Sequence, residues 1–203
     1  MVLVAQTAPN FTASAILKNG KIINNFDLKK YSNGQSIILF FWPMDFTFVC
    51  PSEILELNNS YEDFKNKNVK IVGISIDSVF VHQAWQNTSL KNGGIGKIKF
   101  PMVSDIKHEI QKSYGVEHPE LNVALRASFL IDENWIVRHQ VINDLPFGRN
   151  INEMIRMVDS VEFHNKYGEV CPANWEKGKE GMTASLKGVS SYLEKHFYKK
   201  SNN

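Results

Sequence analysis

Residues 37–42 form an unbroken apolar run that stops at Pro43, and a helical pattern begins at Pro51. A short apolar run of this kind indicates a buried strand. Proline ends it because proline has no N–H to donate to a neighbouring strand. In the helical pattern, Ile54 and Leu57 fall on one face. The segment therefore predicts a buried strand that passes through a short loop into an amphipathic helix.

Strand and helix patterns alternate along most of the chain. A hairpin over 10–28, with Asn19 and Gly20 at its turn, precedes them. We expect strands over 36–42, 69–76, 100–104, 127–132 and 136–142, and helices over 51–65, 78–91, 105–114 and 150–163. Ser78 is the expected N-cap of the second helix. This succession predicts an α/β fold with a central mixed β-sheet flanked by helices.

The end of the chain has a different character from the rest. After about Tyr167 the density of apolar residues falls and glycines interrupt the pattern, until a short helix is expected over 184–197. A chain of 203 residues with 43% hydrophobic content can build one core with appendages. We therefore predict one domain over 1–166 and a C-terminal arm over 167–203.

Charge and hydropathy argue against nucleic acid and membrane as partners. The net charge is +2 and no basic cluster is present. The longest apolar run, near 37–43, is far too short to span a bilayer. Residues 1–6 lack a basic segment followed by a long apolar core, so we expect no secretory signal and a cytoplasmic location.

The chain contains two cysteines, Cys50 and Cys171, too few for a disulfide scaffold. They do not form a Cys-x-x-Cys pair, which argues against a short-spaced dithiol oxidoreductase. The six histidines are scattered, without zinc-ligand spacing near either cysteine, so we expect no metal. In a reducing compartment a structural disulfide is also disfavoured, which favours a reactive role for at least one of the two cysteines.

Cys50 is placed where the predicted helix begins, and a helix N-terminus favours an anion such as a thiolate. Thr47, three residues earlier, can direct a hydroxyl into the same pocket. Asp45 and Glu53 are unfavourable neighbours, because carboxylates beside a thiolate raise its pKa, so a cation is needed to offset them. From these residues alone, a buried structural cysteine is as good an interpretation as a reactive one.

A resemblance to a known family favours the reactive interpretation. Pro43, Thr47 and Cys50 match the Pro-x-x-x-Thr-x-x-Cys pattern of the peroxiredoxins, and 45–51 looks like the typical two-cysteine subgroup, which includes the alkyl hydroperoxide reductase C-type proteins. The segment 168–175, which contains Cys171, resembles that subgroup's resolving-cysteine segment. Further matching segments are 72–78, 93–96, 124–132 and 143–149.

The resemblance implies a thioredoxin-like fold and a thiol-dependent peroxidase that needs no metal, haem or flavin. Cys50 would attack the peroxide and become a sulfenic acid. Arg126, which falls on the family's active-site arginine, would supply the missing cation and, with Thr47, stabilise the departing oxygen. Pro43 would shield the sulfur. Cys171 would then condense with the sulfenic acid to form a disulfide.

The resemblance also implies partners. In the two-cysteine subgroup the disulfide forms between subunits, which implies an antiparallel homodimer, and five such dimers often form a decameric ring. Hydrogen peroxide or an organic hydroperoxide would be the substrate. A thioredoxin-like protein or a flavoprotein disulfide reductase would reduce the disulfide. Two alternatives on the same scaffold stay open, a peroxide sensor that relays its disulfide to a client and a holdase chaperone.

Three further residues are weaker candidates for the site. Glu53 is expected to accept hydrogen bonds from Arg126 or from a second arginine, for which Arg149 is the candidate; a solvated carboxylate is the competing interpretation. Trp85 is expected mainly as a core residue near the pocket, with substrate contact as the less favoured role.

Overall fold

The structure is a computed structural model that describes residues 1–198. Residues 199–203 of the predicted arm lie outside the described residues. The chain divides into two compact units, Met1–Ile151 and a second unit that begins at Asn152. The first unit contains the whole sheet. The predicted division at residue 166 stays a prediction.

Within the described residues, one seven-stranded sheet has the order β2-β1-β5-β4-β3-β6-β7. β3 and β4 are parallel, as are β4 and β5, and the other neighbours are antiparallel. The predicted mixed sheet and the N-terminal hairpin, β1 with β2, are confirmed. The strands are β1 Thr12–Ile16, β2 Ile22–Asp27, β3 Ser36–Phe41, β4 Val69–Ser75, β5 Met102–Ser104, β6 Arg126–Ile131 and β7 Val137–Asn143.

β3 is an interior strand, because it pairs with β4 on one side and β6 on the other, and its residues from Ile37 onward are buried. Phe40 of β3 lies opposite Gly73 of β4. A Cβ at residue 73 would come within 2.7 Å of the Trp42 ring, so glycine leaves the space that the indole fills. The close packing of the Trp42 ring on Gly73 therefore holds the chain in position at the end of β3, where the candidate site begins.

The helices of the first unit are α1 Leu28–Ser32, α2 Cys50–Asn59, α3 Tyr61–Asn66, α4 Val79–Asn87 and α5 Glu109–Ser113. The prediction of one continuous helix over 51–65 is wrong, because the structure has two helices there, α2 and α3, separated at Ser60. Ser78 caps α4 as predicted, but α4 ends at Asn87, since Thr88 is extended. The helix predicted from 105 starts only at Glu109, because the preceding residue has a left-handed backbone.

The second unit contains most of α6, Ile151–Tyr167, and α7, Leu186–His196. Between these helices, the ring of Trp175 lies 4.8 Å from that of Phe163, and Arg156 Nη1 donates to the Trp175 carbonyl oxygen at 3.0 Å. Trp175 thus docks the segment after α6 onto α6. Among residues 1–198, the structure has no helix with both the length and the apolar character needed to cross a bilayer.

Candidate active site

The loop after β3 delivers Cys50 to the first position of α2. Val49 is the N-cap residue and Pro51 lies in the first turn, where a missing N–H costs no hydrogen bond. The first-turn N–H groups and the helix dipole favour a negative charge at this end of the helix. Cys50 has no solvent exposure. The cysteine therefore lies in a buried position whose backbone electrostatics favour an anion.

Two side chains reach the sulfur. Arg126 Nη1 lies 3.2 Å from Cys50 Sγ, and Thr47 Oγ1 lies 2.9 Å from it. Thr47 Oγ1 is also 2.8 Å from the Met44 carbonyl oxygen. A hydroxyl has one proton, so Thr47 donates either to Met44 or to the sulfur. A thiolate can only accept, and the hydroxyl proton can turn towards it.

Arg126 is held in place by two other acceptors. Its Nε donates to the Leu145 carbonyl oxygen at 2.6 Å, and its Nη1 also donates to Glu53 Oε2 at 2.9 Å. Arg126 stands at the start of β6, which pairs with β3, so the sheet brings residue 126 beside residue 50. The guanidinium is 4% exposed, and a charge so poorly hydrated interacts strongly with its neighbours.

Glu53 joins both candidate arginines. Its Oε1 accepts from Arg149 N at 2.8 Å and Nε at 2.9 Å, and its Oε2 accepts from Arg149 Nη2 at 3.0 Å as well as from Arg126. Burial raises the pKa of Glu53, but the hydrogen bonds and charges of Arg149, with the charge of Arg126, outweigh burial and hold that pKa below its ordinary value. Glu53 is thus a buried, ionised carboxylate.

Arg149 has no exposed side-chain surface. Its guanidinium carbon lies 3.4 Å from the centre of the Phe40 ring, and its Nη1 donates to the Ala127 carbonyl oxygen. Burial lowers the pKa of Arg149, while the hydrogen bonds and charge of Glu53 oppose the change. Two buried guanidinium groups therefore face one carboxylate, and an ionised Cys50 would make the charges of the cluster balance.

The other two predicted site residues lie nearby. Pro43 is buried and lies two residues after the end of β3. Trp85 has no exposure; its indole N–H donates to the Gly93 carbonyl oxygen at 2.8 Å, and its ring packs 5.8 Å from that of Phe46. Trp85 therefore supports the loop that precedes Cys50. These contacts fit the packing role that the sequence favoured for it.

Comparison with known proteins identifies the family. Residues 4–140 match the AhpC/TSA family. The chain belongs to this family. It is a peroxiredoxin, and therefore a thiol-dependent peroxidase. Residues 160–195, which include Cys171, also match the C-terminal domain of 1-Cys peroxiredoxin.

Individual relatives agree with this assignment. The chain is 79% identical over 197 residues to alkyl hydroperoxide reductase C of Buchnera aphidicola subsp. Schizaphis graminum, covering 97% of this chain and 100% of the relative. The reduced Plasmodium vivax 2-Cys peroxiredoxin is 43% identical with a TM-score of 0.92, covering 96% and 100%. An N-terminally modified Plasmodium yoelii Prx1a, described as an artifactual octamer, is 44% identical with a TM-score of 0.75, covering 84% and 98%. The thioredoxin-like fold is confirmed.

Cys171 of this peroxiredoxin lies in the second unit. Its Sγ is 3.6 Å from the Ser160 carbonyl oxygen, and its side chain is partly buried. Burial raises the pKa of the Cys171 thiol, and the nearby charge of Arg156 only partly offsets this effect. Cys171 therefore has the environment of a protonated thiol, in contrast to the cationic surroundings of Cys50.

Asp45 does not face the sulfur as a competing charge, contrary to the expectation from its proximity in sequence. Its side chain accepts from Trp42 Nε1 at 2.8 Å and bonds to His82 Nδ1 at 2.7 Å. In the sequence, His82 is only one of six scattered histidines. No signal in the sequence connects Asp45 with His82, because their contact depends on how α4 packs on the sheet.

One group among the described residues, Asp45, Asp77 and His82, brings three potential metal-ligand atoms within 4.8 Å of one another. Each is already engaged: Asp77 Oδ2 accepts from the Asp45 N–H at 2.8 Å and from Ser75 Oγ at 2.7 Å, and both oxygens of Asp45 are bonded as above. A metal would have to displace these bonds. The expected absence of a metal stays a prediction.

Proposed function

We propose that this peroxiredoxin reduces hydrogen peroxide and small organic hydroperoxides, with Cys50 as the peroxidatic cysteine and Cys171 as the resolving cysteine. The observation that carries the proposal is the convergence of Arg126 Nη1 and Thr47 Oγ1 on Cys50 Sγ, at 3.2 and 2.9 Å. Because the sulfur is fully buried, side chains of the loop must part to admit substrate, which favours small peroxides over bulky ones.

The first step is a displacement at oxygen. The Cys50 thiolate attacks one peroxide oxygen, the S–O bond forms and the O–O bond breaks, and both electrons of that bond leave with the second oxygen as hydroxide or alkoxide. Arg126 and Thr47 donate hydrogen bonds where this negative charge develops. Glu53 and Arg149 hold the Arg126 guanidinium in position. Pro43 shields the sulfur. Cys50 ends as a sulfenic acid, the first stage of cysteine oxidation.

The second step consumes the sulfenic acid. The Cys171 thiol loses its proton, and the resulting thiolate attacks the Cys50 sulfur: the S–S bond forms, the S–O bond of the sulfenic acid breaks, and the departing hydroxide takes up a proton to leave as water. We place the two cysteines on different subunits of a homodimer, since peroxiredoxins are typically oligomeric. A decamer, built as a pentamer of dimers, is a further proposal. A thioredoxin-like protein or a flavoprotein disulfide reductase would return both cysteines to thiols. The expected cytoplasmic location stays a prediction.

Non-reducing electrophoresis tests the disulfide directly. After one equivalent of hydrogen peroxide, wild type is expected to run as a covalent dimer that dithiothreitol reverts to monomer. Cys50→Ser and Cys171→Ser are each expected to stay monomeric, because each lacks one of the two sulfurs. Cys171→Ser should still consume peroxide once and form the sulfenic acid, which dimedone traps and mass spectrometry detects at residue 50.

Mixing the two variants provides the matched control for this experiment. After subunit exchange, one Cys50→Ser subunit supplies Cys171 and one Cys171→Ser subunit supplies Cys50, so a covalent dimer should reappear in the mixture. A wild-type protein that oxidises to a monomer with an internal disulfide would refute the intersubunit bond. It would leave the peroxidase chemistry of Cys50 intact.

The resolving step should depend on pH through Cys171. Its pKa is raised by burial, so at neutral pH the thiol is mostly protonated. Below that pKa the thiolate fraction grows about tenfold per pH unit, and the rate of disulfide formation should rise with it between pH 6 and 8. Stopped-flow mixing of preformed Cys50 sulfenic acid measures this rate. A pH-independent rate would show that opening of the Cys171 segment, rather than attack by its thiolate, is limiting.

A further inference from the structure

The loop between β3 and Cys50 is anchored in the core through Asp45. Asp45 is 4% exposed. Its backbone N–H donates to Asp77 Oδ2 at 2.8 Å, its Oδ1 accepts from Trp42 Nε1 at 2.8 Å, and its Oδ2 lies 2.7 Å from His82 Nδ1. His82 is itself fixed on α4, with Nε2 3.2 Å from the Val103 carbonyl oxygen of β5. One loop residue is thus bound to the ends of two strands and to a helix.

The partners of His82 determine how many protons the pair holds. The Val103 carbonyl oxygen can only accept, so His82 Nε2 carries a hydrogen. One further proton must then lie between Nδ1 and Asp45 Oδ2, because a bare nitrogen lone pair and a bare carboxylate oxygen would repel each other at 2.7 Å. Whether that proton belongs to the acid or to the ring, the pair is neutral. Both side chains are fully buried, where an unpaired charge is costly.

The residue after Asp45 shows that the loop is held under strain. Phe46 has φ 55°, in the left-handed region that bulky L-residues rarely adopt. Such a conformation persists only where its surroundings fix it. Asp45 fixes the backbone on one side, the Phe46 ring packs on Trp85, and the next residue is Thr47, whose hydroxyl lies 2.9 Å from Cys50 Sγ. The strained turn therefore connects the buried anchor to the reacting group.

We propose that Asp45 and His82 are positioning residues for the peroxidase reaction, which hold the strained loop so that the Thr47 hydroxyl stays against Cys50 Sγ. The pair does not touch substrate. The proton between His82 Nδ1 and Asp45 Oδ2 keeps the anchor neutral and its hydrogen bond intact. The proposal rests on the proposed function, because the placement of Thr47 matters only if Cys50 reacts with peroxide.

Two substitutions of His82 form a matched test. Asparagine can place an amide donor close to where Nδ1 lies, whereas phenylalanine keeps a ring but has no donor. We expect His82→Phe to lower the second-order rate constant with hydrogen peroxide about 10- to 100-fold, the scale of a small misalignment of reacting groups. Its rate of alkylation by iodoacetamide, which does not need the Thr47 hydroxyl, should stay close to wild type. His82→Asn should recover most of the peroxide rate.

Near-ultraviolet circular dichroism reports whether His82→Phe is folded. If it is not, a second pair of variants, at Asp45, provides the test. Asp45→Asn can donate to Nδ1 of neutral His82 and accept from Trp42, so its peroxide rate should stay near wild type. Asp45→Leu loses both bonds, and its peroxide rate should fall. The positioning role would be overturned if the folded His82→Phe or Asp45→Leu variant reacted with peroxide as fast as its conservative counterpart. It would also be overturned if the peroxide and alkylation rates fell in parallel. A wild-type Cys50 that reacts slowly with peroxide would instead refute the proposed function.

Discussion

Cys50→Ser is expected to lower the second-order rate constant for hydrogen peroxide by about 10⁴-fold or more, the scale on which enzymes respond to loss of their nucleophile. A serine hydroxyl is not ionised at neutral pH, and the cationic surroundings of residue 50 cannot make it so. Stopped-flow tryptophan fluorescence measures the rate, because Trp42 and Trp85 lie close to the loop before Cys50. A steady-state assay with a dithiol reductant measures turnover independently.

Cys171→Ser is the control for this substitution, since it removes the other thiol of the chain by the same chemical change. It should react with the first equivalent of peroxide at the wild-type rate and then fail to form a disulfide. If Cys50→Ser retained the fast phase while Cys171→Ser lost it, the roles of the two cysteines would be reversed.

The same Cys50→Ser variant tests the holdase alternative. If it suppresses aggregation of a client protein as well as wild type does, a holdase activity is separate from the peroxidase.

The local part of the site could be predicted because its signals are close together in the chain. Pro43 ends a buried strand, Pro51 opens a helix, and Cys50 must then lie at the helix N-terminus. Thr47 precedes it by three residues in the same loop. Turn residues likewise predicted the N-terminal hairpin, which the pairing of β1 with β2 confirms. Each of these features depends on neighbours within a few residues.

The distant part of the site depends on pairings that periodicity does not encode. Arg126 reaches Cys50 because β6 is antiparallel to β3, and Arg149 reaches Glu53 from the segment just before α6. The spacing of these residues in the sequence does not indicate that they meet. The family resemblance placed Arg126 in the candidate site. It offered Arg149 only as a candidate partner of Glu53, with a solvated Glu53 as the competing interpretation. The contact between Asp45 and His82 was missed, because neither residue belongs to a motif that marks it as a pair.

Helix boundaries were the weakest predictions for a related reason. Apolar periodicity continues from α2 into α3, yet the helix is interrupted at Ser60. The Ser60 N–H donates to the Glu56 carbonyl oxygen, and the Ser60 side chain does not cap α3. The left-handed backbone of His108 delays the start of α5 in the same way. Neither residue is a glycine or proline, so composition did not mark either break.

Charge balance connects the near and distant parts of the site. Arg126 and Arg149 contribute two buried positive charges, and Glu53 contributes one negative charge. With a neutral thiol the cluster would hold an uncompensated positive charge in a poorly hydrated position, which is unfavourable. An ionised Cys50 removes the imbalance. Glu53, which by itself is an unfavourable neighbour of a thiolate, is therefore useful here because it is already paired with two arginines and orients the one that contacts sulfur.

Arg126→Gln is accordingly expected to lower the second-order rate constant for hydrogen peroxide about 10²- to 10³-fold, the scale for removal of one donor to a developing negative charge. Glutamine can still donate one neutral hydrogen bond, but it brings no positive charge to Cys50 Sγ, and the remaining cluster of Glu53 and Arg149 is already neutral. Stopped-flow mixing with peroxide measures the loss. Iodoacetamide alkylation of Cys50 reports the loss of thiolate stabilisation separately.

Arg126→Lys separates charge from geometry. Lysine keeps the positive charge, so alkylation of Cys50 should stay faster than in Arg126→Gln. Its single ammonium group cannot reproduce the planar fork that joins Leu145, Glu53 and the sulfur, so the peroxide rate should stay well below wild type. A lysine variant with a wild-type peroxide rate would mean that charge alone accounts for the role of Arg126. A glutamine variant with a wild-type peroxide rate would mean that the 3.2 Å contact between the guanidinium and the sulfur contributes nothing to the reaction.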